Sequence, residues 1–585
     1  MVSYLFMSSK KYSNRQLAEI FQKIADLLEI KGEVVYKTLA YRRAAENLTE
    51  LGHDTYELWE EGTLTDIPGV GKAIAEKIDE LFSTGELRFL NKLESEVPPS
   101  LVDILQVPDV GPKKVSLFWR EAGITDLAGL ETAARAGELR QLPGMGPKSE
   151  TKIIAGIESL ARRTGRTPLG IAWPFAQELL TMLRKIPGVS TAEAGGSLRR
   201  MRATIGDLDI LAAAYDSAPV MDAFVNHPHV VHVLGHGETK SSVEFDNGLR
   251  AQLWVHPPEH YGTALQYATG SKDHNVRLRE LAIKQGLSLS EHALTREDGT
   301  EILAAFETEV YTALGLPWIP PELREDRGEV QAAKKGTLPN LITLEDIISE
   351  LHSHSTWSDG VLSIQEMAEE TIARGFQVLA VTDHSGSLAI AGGLHAEELP
   401  KQRAEIDALQ NQLGDRLCLL HGTEIEIRAD GSLDYSDEVL AGMDIVIASL
   451  HVSLRQPQEQ VTERLLNAIR NPHVDVIAHP TGRLLPNREG ADLDMDSILG
   501  AAAEHNVALE INAHPSRLDL EDIYARRAVD LGIPLSINTD AHSPADLEIL
   551  HFGVATARRG WVEAKHVINT WEKDRLLDWL HSRHS

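Results

Sequence analysis

The chain of 585 residues carries 87 Asp+Glu against 57 Lys+Arg, a net charge of −30 and one cysteine, Cys418. That length exceeds what a single hydrophobic core supports, so several domains are expected, and the lone cysteine excludes a disulfide framework. The opening MVSYLFMSSKKYSN holds an apolar patch too short for a signal sequence, and no later stretch offers the ~18 unbroken apolar residues of a membrane span; a soluble, cytoplasmic, monomeric protein without a membrane partner is expected.

Three similar segments occupy the first 160 residues: IPGVGKAIAEKI from Ile67, VPDVGPKKVSLF from Val107 and LPGMGPKSETKI from Leu142. Each is an apolar-Pro-x-apolar-Gly turn that leads into a helical pattern with lysine in its first turn. Glycine lets backbone N–H groups approach a ligand, and a helix N-terminus favours an anion, so each turn could grip a phosphate oxygen. Gly69 and Gly71, Gly111 with Lys113, and Gly146 with Lys148 are the candidate DNA-backbone contacts of these helix-hairpin-helix-like turns.

A block from Pro168 to Pro321 follows, with strand-like stretches including GDLDILAAA and LRAQLWVH. In GDLDIL, period-two alternation puts Asp207 and Asp209 on one face of a strand, a pair that asks for a divalent cation. Just upstream, GGSLRR combines glycines, Ser197 and Arg200 into a plausible triphosphate cradle. Residues 322–340 are charged, lack apolar periodicity and read as a linker.

From Leu341 onward acidic residues outnumber basic ones 40 to 19, and 15 of the 24 histidines lie here. Short apolar runs alternate with helical stretches, the pattern of a βα-repeat fold with seven strands. Each run ends in candidate ligands: His352, His354 and Asp359; His384; Glu424; His451; His479; Asp540 and His542. Ligands at strand C-terminal ends converge on one barrel mouth, and an imidazole-carboxylate set suits Mn²⁺, Zn²⁺ or Fe better than Mg²⁺.

With YATGS at 267–271 followed by Asn275 and Arg279, roughly the first 320 residues resemble a family X DNA polymerase. The resemblance implies a lyase-like helical domain over 1–90, helix-hairpin-helix fingers over 91–167, and a nucleotidyltransferase-type palm with thumb over 168–321. It also implies nucleotide contacts from Ser197, Arg200, Tyr267, Gly270, Ser271, Asn275 and Arg279, and Mg²⁺ or Mn²⁺ held by catalytic Asp207 and Asp209. A Schiff-base lyase role falls on Lys77, with Lys37 near a 5′-phosphate. The family's third catalytic carboxylate, fifteen residues before the pocket tyrosine in an Asp-x-Arg pattern, falls on Gln252, and its arginine on Trp254. An amide brings no charge to a metal site, so the polymerase centre is expected to be impaired.

Residues 341–585 resemble the PHP (polymerase and histidinol phosphatase) domain, a distorted (β/α)₇ barrel. That resemblance implies three divalent metals on the nine residues named above. The expected architecture is thus multidomain, α+β and α/β. The leading functional expectation is a polymerase and 3′–5′ exonuclease that acts on gapped or nicked DNA with deoxynucleoside triphosphates, in gap filling and base excision repair. Two alternatives stand beside it: a polymerase half that only delivers DNA to the PHP nuclease, and a PHP domain that is a small-molecule phosphatase.

Overall fold

The computed structural model describes residues 12–583 apart from residues 50, 52, 108–109 and 163–164; residues 1–11 of the opening segment and two residues of the second glycine turn thus lie outside it. The chain divides into two compact units, residues 1–164 and 165–585. Among the described residues no helix is long and apolar enough to cross a membrane.

The first unit is helical, built on the antiparallel pair Asn14–Lys31 and Val35–Thr49. Ser13 and Gln16 form a capping box at its start and Gly32, with φ +91°, ends the first helix. Each glycine turn does lead into a helix: Gly71 caps Lys72–Thr84, Gly111 caps Pro112–Ala122, and Gly146 precedes Pro147–Arg162. A Cβ at Gly71, Gly111 or Gly146 would meet nothing within 4 Å, so the backbone there is open to a ligand. Gly69 differs: its φ is +78° and a Cβ would lie 2.8 Å from Asn47 Nδ2, so glycine is required for the turn to pack on the neighbouring helix.

The second unit contains a five-stranded sheet in the order Thr191–Ala194, Leu208–Ala213, Arg250–His256, Lys240–Phe245, Val230–His236. Helices Leu169–Arg184 and Ala218–Val225 pack into the core on one face. Helix Tyr261–Thr269 covers the other, packing Tyr261, Ala264 and Leu265 on Leu211 and Ala213. Strands Leu208–Ala213 and Arg250–His256 run parallel, with Asp209 opposite Gln252 and Leu211 opposite Trp254. A small antiparallel sheet, Leu287–Leu289, Leu294–Arg296 and Glu301–Ile302, lies beyond.

Seven parallel strands follow in sequence order: Ser349–Ser353, Val378–Val381, Cys418–Glu426, Ile445–Ser449, Val476–Ile477, Ala508–Asn512 and Leu535–Asn538. A parallel bridge between Ser353 and Ala541, with His354 N–H donating to Ala541 O at 2.8 Å, brings the last strand back to the first, and the barrel is nearly closed. The palm core runs on into the barrel: Leu518, Phe552 and Ala555 share a buried cluster with Leu169, Leu208 and Leu253.

The segment 322–340 is not a linker. It contributes to a 3₁₀ turn, Pro321–Leu323, and forms helix Glu329–Lys335, and two of its charges, Arg324 and Glu329, are buried. Buried Arg324 donates to Glu307 Oε1 and to Ile319 O. Buried Glu329 meets His274 at 2.6 Å, and Glu325 lies among Arg200, Arg202 and Arg559. A charged stretch without apolar period looks the same in sequence whether water or internal partners satisfy it; here Arg324, Glu325 and Glu329 have internal partners, which makes their burial tolerable, while Lys334 and Lys335 stay exposed.

Candidate metal centres of the palm and barrel

In the palm, the register places Gln252 beside the acid pair, and its Nε2 donates to Asp207 Oδ2 at 3.3 Å. The amide therefore stands beside the acid pair and bonds one of its two carboxylates. Burial, reinforced by the Asp207 charge, pushes the Asp209 carboxyl up to about 7. Gly196 sits at φ +56°, and a Cβ there would fall 2.2 Å from Asp209 Oδ2, so only glycine fits the turn this tightly against the acid. Trp254, one pleat further on, lies under Lys240, whose Nζ is 4.7 Å from the ring centroid.

The other predicted palm residues are drawn together by internal bonds. Arg200 donates from Nη1 to Thr269 O at 2.5 Å and from Nε to Glu325 at 3.1 Å, so its guanidinium ties GGSLRR to YATGS. Ser197 is half-buried in the same turn. Asn275 donates to Tyr267 O at 2.8 Å and accepts from Gln266, fixing the helix end that presents Tyr267 and Gly270. Ser271 caps the next helix, Lys272–Lys284, and exposed Arg279 lies 5.7 Å from the Tyr267 ring centroid. In the first unit, Lys77 rests over Phe89 at 4.9 Å; burial lowers its pKa and the Lys37 charge adds to the effect. Lys113 and Lys148 are exposed in the first turns of their helices.

All nine predicted barrel residues meet at the C-terminal ends of the strands. Three overlapping groups have ligand atoms within 4.8 Å of one another: His354, Asp359, His384 and His542; His352, His354, Glu424 and Asp540; and His384, Glu424 and His451. His479 joins through Glu424, its Nε2 being 2.9 Å from Oε1. Glu424 is the hub, also 2.9 Å from His384 Nδ1 and within 3.5 Å of His352, His354 and His451. Against the cost of burial, the imidazoles of His384, His451 and His352 hold Glu424 well below the carboxylate range. Burial, with the neighbouring His384 charge, lowers His354 to about 3, which leaves its ring neutral and able to ligate. Asp540 and His479 have positive φ, +55° and +27°, a strain commonly stored at functional sites.

The polar atoms at the centre are buried and, among the described residues, without a hydrogen-bond partner: His352 Nε2, His354 Nε2, Glu424 Oε2 and Asp540 Oδ1. Lone pairs converging in this way fit divalent cations, which would satisfy them. Two positioning residues escape a reading of the sequence. Glu510 meets His352 Nδ1 at 2.7 Å and accepts from His479 N–H, and Glu426 meets His451 Nδ1 at 2.8 Å. Each directs the far ring nitrogen inward. An acid inside an apolar strand, as in ALEIN and TEIEI, was the available signal. Of the unassigned histidines, His421 bonds Gln402 and His514 bonds Ser516.

Comparison with known proteins follows the same division. Family models described as helix-hairpin-helix domain and SAM-like helix-hairpin-helix tandem match residues 12–87 and 101–159; DNA polymerase beta thumb matches 264–325, and PHP domain matches 350–514. The DNA polymerase/3′-5′ exonuclease PolX of Bacillus subtilis (strain 168) is 39% identical over 558 residues, 95% of this chain and 97% of that protein. The chain belongs to the PolX family. Over a smaller share, the chain is also similar to a probable phosphatase of Thermoanaerobacter sp. (strain X514), 28% identical over 38% of this chain and 91% of that protein, and to one of Shewanella oneidensis, 28% identical over 39% and 86%.

Proposed function

We propose that this PolX-family enzyme binds gapped or nicked DNA and deoxynucleoside triphosphates, that its barrel shortens DNA 3′ ends by metal-dependent hydrolysis, and that its palm extends them slowly, in gap filling and base excision repair. The convergence of nine ligand residues on buried, unpartnered lone pairs carries the hydrolytic reading. Divalent cations bound there would generate hydroxide near neutral pH and neutralise the phosphate oxygens. His352, His354, Glu424 and Asp540 would hold one, Asp359, His384 and His542 another, and His451 and His479 with Glu424 a third. Glu510 and Glu426 keep the imidazole protons on the outer nitrogens, so the inner ones stay free to bind.

The Gln252–Asp207 hydrogen bond supports a second reading, in which the palm holds DNA and nucleotide without efficient transfer. Exposed Gly71 and Gly111 and half-buried Gly146, with exposed Lys113 and Lys148, favour sequence-independent contact with the DNA backbone, and the depressed pKa of Lys77 supports its Schiff-base role. A 5′-labelled gapped duplex incubated with Mn²⁺, with and without nucleotides, reports extension and shortening in one lane. Shortening is expected to vanish in the His352→Ala/His354→Ala variant while DNA binding persists; unchanged shortening would refute the barrel site.

A further inference from the structure

The buried, unpartnered atoms at the barrel mouth are of two chemical kinds. His352 Nε2, His354 Nε2, Glu424 Oε2 and Asp540 Oδ1 are electron-pair donors, and cations would satisfy them. Arg517 Nη1 is the opposite: an N–H on a permanent positive charge, buried and, among the described residues, without an acceptor. No metal can satisfy it; only an oxygen of an anion or of water can. Its Nε lies 3.8 Å from Asp540 Oδ2, so the guanidinium stands directly beside the ligand cluster.

The backbone that carries it is pinned. Arg483 Nε donates to Arg517 O at 2.6 Å, Leu485 N–H donates to Ser516 O at 2.6 Å, and the Thr481 and Gly482 N–H groups both donate to Asp519 Oδ2. Arg488 is tied to the same loop through Gly482 O at 2.7 Å. Burial lowers the Arg488 pKa, with Arg517 and Arg455 as like-charged neighbours, so three guanidiniums share one neighbourhood. In a half of the chain with 40 acids against 19 bases, like charges gathered beside a metal-type site call for an anionic guest.

We propose that Arg517, backed by Arg488, binds a non-bridging oxygen of the phosphate that is cleaved at the DNA 3′ end. The proposal rests on the hydrolytic reading of the barrel. In the step it assists, a water oxygen bonds to phosphorus and the bond from phosphorus to the penultimate 3′ oxygen breaks. The water proton ends on that oxygen, leaving a 3′-hydroxyl and a nucleoside 5′-monophosphate. Arg517 stabilises the charge that builds on phosphorus and then faces the phosphate of the product.

The test uses the full chain loaded with Mn²⁺, comparing Arg517→Gln, Arg517→Lys and Arg488→Gln with the unsubstituted protein. It reads kcat/KM for shortening, inhibition by deoxyadenosine 5′-monophosphate, inhibition by deoxyadenosine, and bound metal. For Arg517→Gln, kcat/KM is expected to fall about 10- to 100-fold, the range for a charge-assisted hydrogen bond, and the monophosphate inhibition constant to rise similarly. Weak inhibition by the nucleoside and the metal content should not change. Arg488→Gln should give a smaller effect of the same sign. A residue that only orients Asp540 would lose metal and leave the monophosphate constant alone, and that result overturns the proposal. If Arg517→Gln does not fold, Arg517→Lys decides: a point charge without the guanidinium fork should still weaken monophosphate inhibition, and an unchanged constant overturns the proposal. If the unsubstituted protein fails to shorten DNA, the hydrolytic reading falls, a result separate from an Arg517 failure.

Discussion

At the scale of single residues, Gln252 bears on the electrostatics of the acid pair beside it. Asp209 already sits near 7 because it is buried beside Asp207, and a third carboxylate would be costly without a cation; the amide adds no charge and donates to Asp207. Gln252→Asp is therefore expected to lower the melting temperature in chelator and to recover it in Mn²⁺. In a nuclease-dead His352→Ala background it should raise primer extension by about 10²–10³, the usual worth of one preorganised electrostatic group, with little change in nucleotide affinity. Trp254→Arg added to it would set a guanidinium against Lys240, so the double variant should gain less than a simple restoration implies. Equal extension by the unsubstituted palm and the Gln252→Asp variant would show that the amide is no defect. In the barrel, Glu510→Gln keeps the shape of the side chain but removes the charge facing His352 Nδ1; metal affinity or activity should fall about 10- to 100-fold, read by metal titration as well as by shortening.

At the scale of elements, the candidate ligands were legible as a cluster because they fall where strands end, a position that period and apolar run length mark in sequence. His352, Glu424, His451 and Asp540 needed no contact information. Glu510 and Glu426 did, since an acid within a strand reads equally as a mispaired charge or as a partner until the opposite histidine is known. Arg200 was legible as a basic residue near phosphate chemistry, while its bonds to Thr269 O and Glu325 come from segments 69 and 125 residues away. The glycine turns were legible as motifs, yet Gly69 serves the packing against Arg43 and Asn47, whereas Gly71, Gly111 and Gly146 face open space. Exposed Lys113 and Lys148 should each contribute about one unit to the salt dependence of DNA affinity. Lys113→Ala and Lys148→Ala, measured across a salt series, are expected to flatten the slope stepwise; an unchanged slope would remove these turns from the interface.

At the scale of the molecule, residues 165–585 are one unit because charge as well as apolar surface joins palm to barrel. Arg559, on barrel helix Leu550–Arg559, donates to Arg200 O, to Glu325 at 2.9 Å and to Asp522 at 2.8 Å, and Arg327 meets Asp522 from the segment that reads as a linker. Burial raises the cost of both carboxylates, but Arg559 with Arg200 and Arg202 holds Glu325 below its ordinary range, and Arg559 with Arg327 and Arg202 does the same for Asp522. A depressed folded-state pKa contributes stability that is complete above the unfolded value of about 4 and is lost as pH falls toward the folded one. Acid should therefore loosen this joint below about pH 4, while neutral pH leaves it intact. Arg559→Leu keeps much of the side-chain volume but leaves Glu325 to Arg200 and Arg202 and Asp522 to Arg327 alone, at a cost of about 1–3 kcal/mol for the lost charged hydrogen bonds. Thermal unfolding of the 165–585 unit is expected to shift down by several degrees and to split into palm and barrel transitions. If Arg559→Leu melts as the unsubstituted protein does, the apolar cluster of Leu518, Phe552 and Ala555 with the palm core holds the unit together without the ionic network.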